Sequence, residues 1–242
     1  MIVARDNEQL ILAWEESARL SPAQRSLLIL QRFAPNQEGS AAELAVGERD
    51  RRLLLLRKDW FGDDVEGITQ CPQCQTKVEI EFSISSLPAP ERVLTSRMTC
   101  IDDYQVQWRL PSAGDLAELA DQGDANRVRD GLLQRCLIEV KRGEARVDSL
   151  DCPEDIIQKI GEEMAAVDPL ADSRFDLRCP VCQFHWLASF DIGSFLWREI
   201  DTWARKLLLE VHALAISYGW SEQSILAMSA VRRKQYLEML DS

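Results

Sequence analysis

Two matching cysteine turns are the feature that most constrains how this chain can fold. The pattern Cys-Pro-x-Cys occurs at Cys71–Cys74 and again at Cys179–Cys182, and a strand-like run follows each turn. At an offset of 108 residues, the coincident positions are Cys71/Cys179, Pro72/Pro180, Cys74/Cys182, Phe82/Phe190 and Ile84/Ile192. The sequence therefore contains an internal duplication of a small unit.

Four thiolates on two such turns form the ligand set of a structural zinc ion, which prefers tetrahedral sulfur ligation. One turn offers only two ligands, too few to close the coordination shell. Joining the halves across 104 intervening residues costs roughly 4 kcal/mol of loop-closure entropy, whereas a structural zinc site contributes on the order of 10–16 kcal/mol. We therefore predict a split zinc ribbon whose structural Zn²⁺ ligands are Cys71, Cys74, Cys179 and Cys182.

The cysteine spacing is also compatible with three other arrangements. Each pair could be a separate redox Cys-x-x-Cys motif, disulfides could join the two halves, or a second chain could complete each zinc site. The three remaining cysteines have no partner at ligand spacing, and we expect them to be small buried residues: Cys100, Cys136 and Cys152.

The fold class predicted from the hydrophobic periodicity is α+β and mainly helical, with two short cysteine-bearing hairpins. Among the clearest patterns are a helix over Glu48–Trp60, a strand pair within Arg97–Leu110 and a long helix over Phe195–Tyr218 that Gly219 ends. A proline-rich linker begins at Leu87. The predicted segments are a helical module over 1–67, a first zinc-ribbon half over 68–87, an α+β insertion over 88–175, a second zinc-ribbon half over 176–193 and C-terminal helices over 194–242.

Composition narrows the classes of function. Zinc ribbons often bind nucleic acid through Lys and Arg, but here Asp plus Glu outnumber Lys plus Arg by 40 to 28, for a formal net charge of −12. No apolar run approaches the length of a membrane-spanning helix. An odd number of cysteines and an N-terminus without signal-peptide character favour a reducing compartment. We therefore expect a cytoplasmic or particle-associated protein without nucleic acid or a membrane span.

No catalytic motif is evident, and we expect a non-enzyme. The chain has only two histidines, His185 in the second hairpin and His212 on the long helix, and it lacks a nucleotide-binding glycine loop or a nucleophile elbow. Tryptophan anchors protein interfaces disproportionately, although core packing is the other interpretation. The candidate partner-binding residues are Trp197, Trp220, Arg232, Arg233 and Tyr236.

The C-terminal part carries a pattern that resembles a known family. A long helix ends in Tyr218-Gly-Trp-Ser221, an Ile-Leu turn follows, and the chain closes with Arg232-Arg-x-x-Tyr-Leu237. Other stretches fit as well: Arg49–Leu56, Phe61-Gly62, both Cys-Pro-x-Cys turns, Arg109–Ser112 and Phe190–Trp197. The ensemble resembles the baseplate hub assembly chaperones of T-even-type contractile phages, in the branch found in bacterial contractile injection systems.

This resemblance implies an accessory protein of a phage-tail-like machine that acts at the baseplate or its central hub. Its expected partners are hub, spike or tube-initiator subunits, and its expected role is that of an assembly chaperone or minor baseplate component. Two other hypotheses remain: a zinc-ribbon protein that binds nucleic acid or transcription machinery, and a thiol oxidoreductase.

Overall fold

The structure, a computed structural model, describes residues 7–34, 40–87 and 96–240. The predicted linker that begins at Leu87 lies outside the described residues from Pro88 onward. The helices are α1 (Asn7–Ser17), α2 (Pro22–Phe33), α3 (Val46–Phe61), α4 (Ala113–Leu119), α5 (Ala125–Cys136), α6 (Glu154–Val167), α7 (Ile192–Tyr218), α8 (Glu222–Leu226) and α9 (Ala230–Glu238). The strands are β1 (Asp64–Gln70), β2 (Lys77–Ser83), β3 (Arg97–Ile101), β4 (Tyr104–Trp108), β5 (Leu137–Arg142), β6 (Ala145–Val147), β7 (Arg174–Arg178) and β8 (His185–Ser189).

Side-chain caps define where several helices begin. Ser21 accepts from the backbone N–H of Gln24 and forms a full capping box at the start of α2. Asp191 caps α7 by accepting from the N–H of Ser194. The sequence prediction that α7 starts at Phe195 is therefore wrong by three residues, because the aspartate cap sets the boundary ahead of Gly193. The helix ends at Gly219 in the left-handed conformation, as predicted.

The insertion between the two cysteine hairpins is built on one antiparallel sheet with the strand order β3-β4-β5-β6. The predicted hairpin of β3 and β4 is present, and β5 pairs with β4 and β6 with β5. Helix α6 packs on this sheet through Ile156 and Ile160, which share a core with Val106 and Trp108. The insertion therefore has a hydrophobic core of its own.

A second core joins the two ends of the chain. Leu10 of α1, Leu30 of α2, Leu56 of α3 and Ile200 of α7 are buried together. A third, smaller cluster holds the C-terminal helices against α7, where Ile225 packs near Leu214 and Val211. Helix α7 connects these two cores, since it contributes buried residues to both of them. In the described part of the chain, no helix combines the length and the apolar character needed to cross a membrane.

Candidate metal centre

Each cysteine turn is the tip of a two-stranded antiparallel hairpin. Strands β1 and β2 pair from Asp64↔Ser83 to Gln70↔Lys77, and β7 and β8 pair from Arg174↔Ser189 to Arg178↔His185. The sequence predicts a short hairpin at each turn but locates only the strand that follows the turn. The structure adds the strand that precedes it, so that the hairpins begin at Asp64 and Arg174, ahead of the predicted 68 and 176.

The two turns have the same backbone conformation. The N–H of Cys71 donates to the carbonyl of Thr76, and the N–H of Cys179 donates to the carbonyl of Phe184, both over 2.9 Å. Immediately after each turn stands a glutamine with positive φ, 60° at Gln75 and 63° at Gln183. The side-chain amide of each glutamine donates to the carbonyl of the proline three residues earlier. Each side-chain hydrogen bond stabilises a left-handed backbone conformation that is unfavourable for a non-glycine residue. Gln75 and Gln183 are also 108 residues apart, so the duplication in the sequence could have identified them.

The four sulfur atoms converge between the hairpin tips. All four Sγ atoms lie within 4.8 Å of one another. The Sγ of Cys71 lies 3.6 Å from that of Cys182, and the Sγ of Cys74 lies 3.5 Å from that of Cys179. A tetrahedral zinc ion with Zn–S bonds of 2.3 Å requires sulfur separations of about 3.8 Å. The residues present therefore fit a four-sulfur metal site in number, chemistry and spacing.

Burial divides the four thiols into two pairs, and hydrogen bonding then distinguishes the two accessible thiols. Cys71 and Cys179 are fully buried, whereas Cys74 and Cys182 are accessible. Hydrogen bonds from the Thr76 hydroxyl and backbone lower the pKa of Cys74 to about 6. The backbone N–H of Phe184 favours the thiolate of Cys182 in the same way, but desolvation and the hydrogen bonds with the adjacent thiols together outweigh it and raise the pKa of Cys182 to about 12. Four sulfurs this close cannot all ionise unless a cation lies between them.

An aromatic cluster lies at the base of the two hairpins. The rings of Phe82 and Phe175 have centroids 4.9 Å apart, Phe82 and Phe190 are 5.3 Å apart, and Phe175 and Phe190 are 5.6 Å apart. Phe190 also contacts Phe195 of α7 at 5.6 Å. The duplicated pair Phe82/Phe190 therefore holds the hairpins against each other and against the helical body.

Arg57 of α3 ties the first hairpin to the body. Its side chain is only 5% exposed and makes a bidentate ion pair with Glu199 of α7. The same guanidinium donates to the carbonyls of Gly62 and Asp64, where the chain enters β1. Removing this side chain would leave a partly buried carboxylate and two carbonyls without their donor.

Asp168 fixes the chain ahead of the second hairpin. This carboxylate is buried, and it accepts from the backbone N–H of Gly47 in the first turn of α3 at 2.9 Å. Because α3 has no side-chain cap of its own, Asp168 supplies one from 121 residues away. Burial raises the pKa of Asp168 above its ordinary value. Gly47 must lack a side chain, since a Cβ there would lie 1.8 Å from Oδ1 of Asp168.

The candidate partner-binding residues have internal contacts. Trp197 is partly buried under the guanidinium of Arg25, 4.6 Å from its ring centre. Trp220 stacks on Tyr218 at 4.5 Å and meets Tyr236 edge-on at 4.8 Å. The core-packing interpretation thus accounts for both tryptophans, and a partner contact through them stays a prediction.

The two arginines of the last helix differ. Arg233 is 2% exposed, pairs with Glu210 and donates to the carbonyl of Met228. The second arginine of the Arg-Arg-x-x-Tyr pattern therefore holds α9 against α7 through its ion pair with Glu210. Arg232 is exposed beside the ring of Tyr236, so it remains accessible to a partner.

The other residues singled out from the sequence lie away from the sulfur cluster or outside its ligand set. Cys136 and Cys152 are buried as expected, and burial raises the pKa of Cys136 to about 11. The expectation for Cys100 is wrong, because β3 is an edge strand and leaves this thiol exposed. His185 is exposed, with Nδ1 3.4 Å from a carboxylate oxygen of Asp176, and His212 lies on the exposed face of α7.

Comparison with known families identifies the chain. Residues 1–197, about four-fifths of its length, match the family described as T4 bacteriophage base plate protein. The protein therefore belongs to this family of phage baseplate proteins, as the resemblance predicts. The matched region contains both cysteine hairpins, whereas the Tyr-Gly-Trp-Ser and Arg-Arg-x-x-Tyr-Leu patterns lie beyond it. No curated protein and no solved structure matches the chain.

Proposed function

We propose that this protein is a non-enzymatic assembly factor of a contractile, phage-tail-like injection machine. In this role it binds hub, spike or tube-initiator subunits while the baseplate forms, as a chaperone or minor component. Membership of the T4 baseplate family over residues 1–197 carries the proposal. The C-terminal pattern from Tyr218 to Leu237, outside that match, supports the narrower hub-chaperone branch through likeness alone.

A structural zinc ion is part of the same proposal. Cys71, Cys74, Cys179 and Cys182 have the spacing that a tetrahedral four-sulfur site requires, and four protein ligands leave no position for a reactive water. The metal would join two hairpins that are far apart in sequence into one split zinc ribbon. The site then contributes shape and stability to a binding protein rather than chemistry.

The test of function is direct binding. The protein is co-expressed in turn with each hub, spike, tube-initiator and wedge protein of the contractile tail that it is proposed to help assemble. We expect a stable complex with a hub, spike or tube-initiator subunit, detected by size-exclusion chromatography with light scattering. Failure to bind any of these proteins would count against an assembly role.

The same preparation tests the two competing hypotheses. The oxidoreductase hypothesis draws on the lowered pKa of Cys74 and predicts reduction of insulin disulfides. The nucleic-acid hypothesis predicts salt-dependent binding of DNA or RNA at physiological ionic strength. We expect neither activity, because all four thiols are engaged with one another and the chain carries a net charge of −12.

A further inference from the structure

The two accessible sulfurs of the cluster differ in one side-chain hydrogen bond. In the first hairpin, the hydroxyl of Thr76 lies 3.2 Å from the Sγ of Cys74. At the 108-residue offset, the position of Thr76 is taken by Phe184, whose side chain has no hydrogen-bonding atom. Within the described residues, the Sγ of Cys182 therefore has the other sulfurs and the backbone as partners but no hydroxyl.

The backbone treats the two accessible sulfurs alike. The N–H two residues after each accessible cysteine donates to that sulfur, from Thr76 in the first hairpin and from Phe184 in the second. The strand pair next to each turn includes one lysine or arginine, Lys77 in the first hairpin and Arg178 in the second. The hydroxyl of Thr76 is therefore the difference between the two turns that acts on a sulfur directly.

Exposure distinguishes the same two sulfurs in the opposite sense. Cys74 is exposed, whereas Cys182 is only partly exposed. If access alone decided which metal-bound sulfur reacts and dissociates first, that sulfur would belong to Cys74. If hydrogen bonding decides, it belongs to Cys182. The two influences thus predict opposite orders, and an experiment can distinguish them.

Hydrogen bonding is the stronger of the two influences. Both sulfurs can be reached by a small reagent, so their accessibility differs only in degree. A metal ligand is a thiolate, which has no proton to donate, so the hydroxyl of Thr76 is the donor in a loaded site. A charge-assisted hydrogen bond is roughly twice as strong as a neutral one. Loss of a group that hydrogen-bonds to a metal ligand typically lowers metal affinity by about 10–100-fold.

The geometry places the hydroxyl where it can hold this ligand. The Sγ of Cys74 has the hydroxyl of Thr76 at 3.2 Å on one side and the Sγ of Cys179 at 3.5 Å on the other. The hydrogen bond keeps the sulfur directed at the cluster, and it draws electron density from the sulfur, which then attacks an electrophile less readily. The sulfur of Cys182 lacks both effects.

We propose that Cys182 is the first sulfur to leave the metal and the last to bind it, and that Thr76 is a positioning residue that holds Cys74 on the metal. Metal exchange then takes place at the second hairpin, while the first hairpin keeps both of its sulfurs on the ion. This inference rests on the structural zinc of the proposed function, and it is independent of which partner the protein binds.

The test uses the zinc-loaded protein with Cys100→Ser, a substitution that removes the exposed thiol outside the cluster. N-ethylmaleimide is added in less than one equivalent, and mass spectrometry of the singly modified protein locates the reagent. A chromophoric chelator records zinc release in parallel. We expect Cys182 to carry the reagent several-fold more often than Cys74. Predominant modification of Cys74 would overturn the proposal.

Removal of the hydroxyl should change both the order and the rate. Thr76→Val keeps the shape of the side chain, and we expect it to release zinc about tenfold faster, with Cys74 modified at least as often as Cys182. Thr76→Ser retains the hydroxyl and should restore the rate and the order of the wild type. Thr69→Val is the matched control on β1 of the same hairpin, because in the described part of the chain its hydroxyl makes no hydrogen bond to sulfur.

A reciprocal variant guards against a folding defect in Thr76→Val. Phe184→Thr introduces a hydroxyl into the second hairpin, whose turn has the same backbone conformation. We expect slower zinc release and similar modification of Cys74 and Cys182. If Thr76→Val fails to load zinc, normal loading of Thr76→Ser supports the proposal, and failure of both variants overturns it.

The outcomes separate this inference from the proposed function. If the wild type binds one zinc ion but Thr76→Val and Phe184→Thr change neither the rate nor the order, the role of Thr76 is overturned and the structural zinc stands. If the wild type binds no zinc, the structural zinc and this inference are both overturned. The assembly role is decided separately, by the binding of hub, spike or tube-initiator subunits.

Discussion

The two cysteine hairpins share the parts that hold sulfur and differ in the parts that face outward. Both have the Cys-Pro-x-Cys turn, the positive-φ glutamine after it and a phenylalanine at the base. They differ at the inner position, which is Gly67 in one and Phe175 in the other. They also differ on the exposed face, where Glu79 and Glu81 stand against Leu187 and Ser189. The shared parts are those needed for the proposed metal site, and the differing parts include an inner position that is open at Gly67 and filled by a ring at Phe175.

The hairpins are also attached to the body by opposite charges. A cation, Arg57, holds the start of β1 through the carbonyls of Gly62 and Asp64. A carboxylate, Asp168, fixes the chain ahead of β7 by capping α3.

Loss of a buried sulfur should affect both hairpins equally. We expect Cys71→Ser and Cys179→Ser each to reduce zinc from one ion per chain to almost none, because three sulfurs leave the shell open. The accompanying loss of stability is a large part of the roughly 10–16 kcal/mol that structural zinc supplies. Metal analysis and thermal unfolding measure both effects, with Cys100→Ser as the control because Cys100 is exposed outside the cluster. Retention of zinc in one of the two variants would break the equivalence of the hairpins.

Removal of the Arg57 anchor should loosen the first hairpin. We expect Arg57→Met to lower the free energy of unfolding by about 3–5 kcal/mol, since it leaves Glu199 and two carbonyls without their donor. Chemical denaturation gives the magnitude, and hydrogen exchange should show the largest increase in β1. The control is Arg129→Met, which removes an exposed ion pair with Glu154 and should cost less than about 1 kcal/mol. Equal losses in the two variants would show that Arg57 has no anchoring role.

Phe82 and Phe190 occupy equivalent positions in the two hairpins, but their replacement should reduce stability by different amounts. Phe190 contacts the rings of Phe82, Phe175 and Phe195, whereas Phe82 contacts only two rings of this cluster, those of Phe175 and Phe190. We expect Phe190→Ala to cost about 2–3 kcal/mol and Phe82→Ala about 1–2 kcal/mol, because the less enclosed site loses fewer contacts. Urea denaturation of the two variants decides the order. A larger loss at Phe82 would show that the first hairpin is the more tightly packed one.

The Asp168 cap should show a small and pH-dependent effect. We expect Asp168→Ala to lose about 1–2 kcal/mol as a lost helix cap, and Asp168→Asn to lose less because its carbonyl still accepts from Gly47. Burial raises the pKa of Asp168, so the folded state binds more protons than the unfolded state between the two pKa values. The stability of the wild type should therefore fall as pH rises through that window, above about pH 4. Urea titrations should show this slope reduced in Asp168→Asn, and an unchanged slope would contradict the assignment.

Local signals in the sequence predicted much of the fold. Gly219 marks a helix end by short-range chemistry, and the structure ends α7 there. The alternation within Arg97–Leu110 predicts a strand pair, and β3 and β4 lie there. The start of α7 is harder to predict, because Gly193 has a low helix propensity and yet lies in the first turn, after the cap at Asp191. Strands β1 and β7 are harder to predict, because Gly67 interrupts the alternation of β1 and the alternation of β7 extends over only five residues.

Long-range contacts could not be predicted in the same way. The ion pair of Arg57 with Glu199 joins residues 142 positions apart, and Asp168 reaches Gly47 across 121 positions. Nothing in the local pattern around these residues indicates a partner. The cysteine cluster is the exception, because duplication and metal chemistry together pointed to four residues spread over 111 positions. The buried position of Arg233 likewise depends on how α9 folds back on α7.

X-ray absorption spectroscopy at the zinc edge tests the central claim most directly, when combined with metal analysis of the full-length protein. We predict one zinc ion per chain with four sulfur neighbours at about 2.3 Å. Two ions per chain, nitrogen or oxygen in the first coordination sphere, or a metal-free protein with disulfides between its cysteines would contradict it.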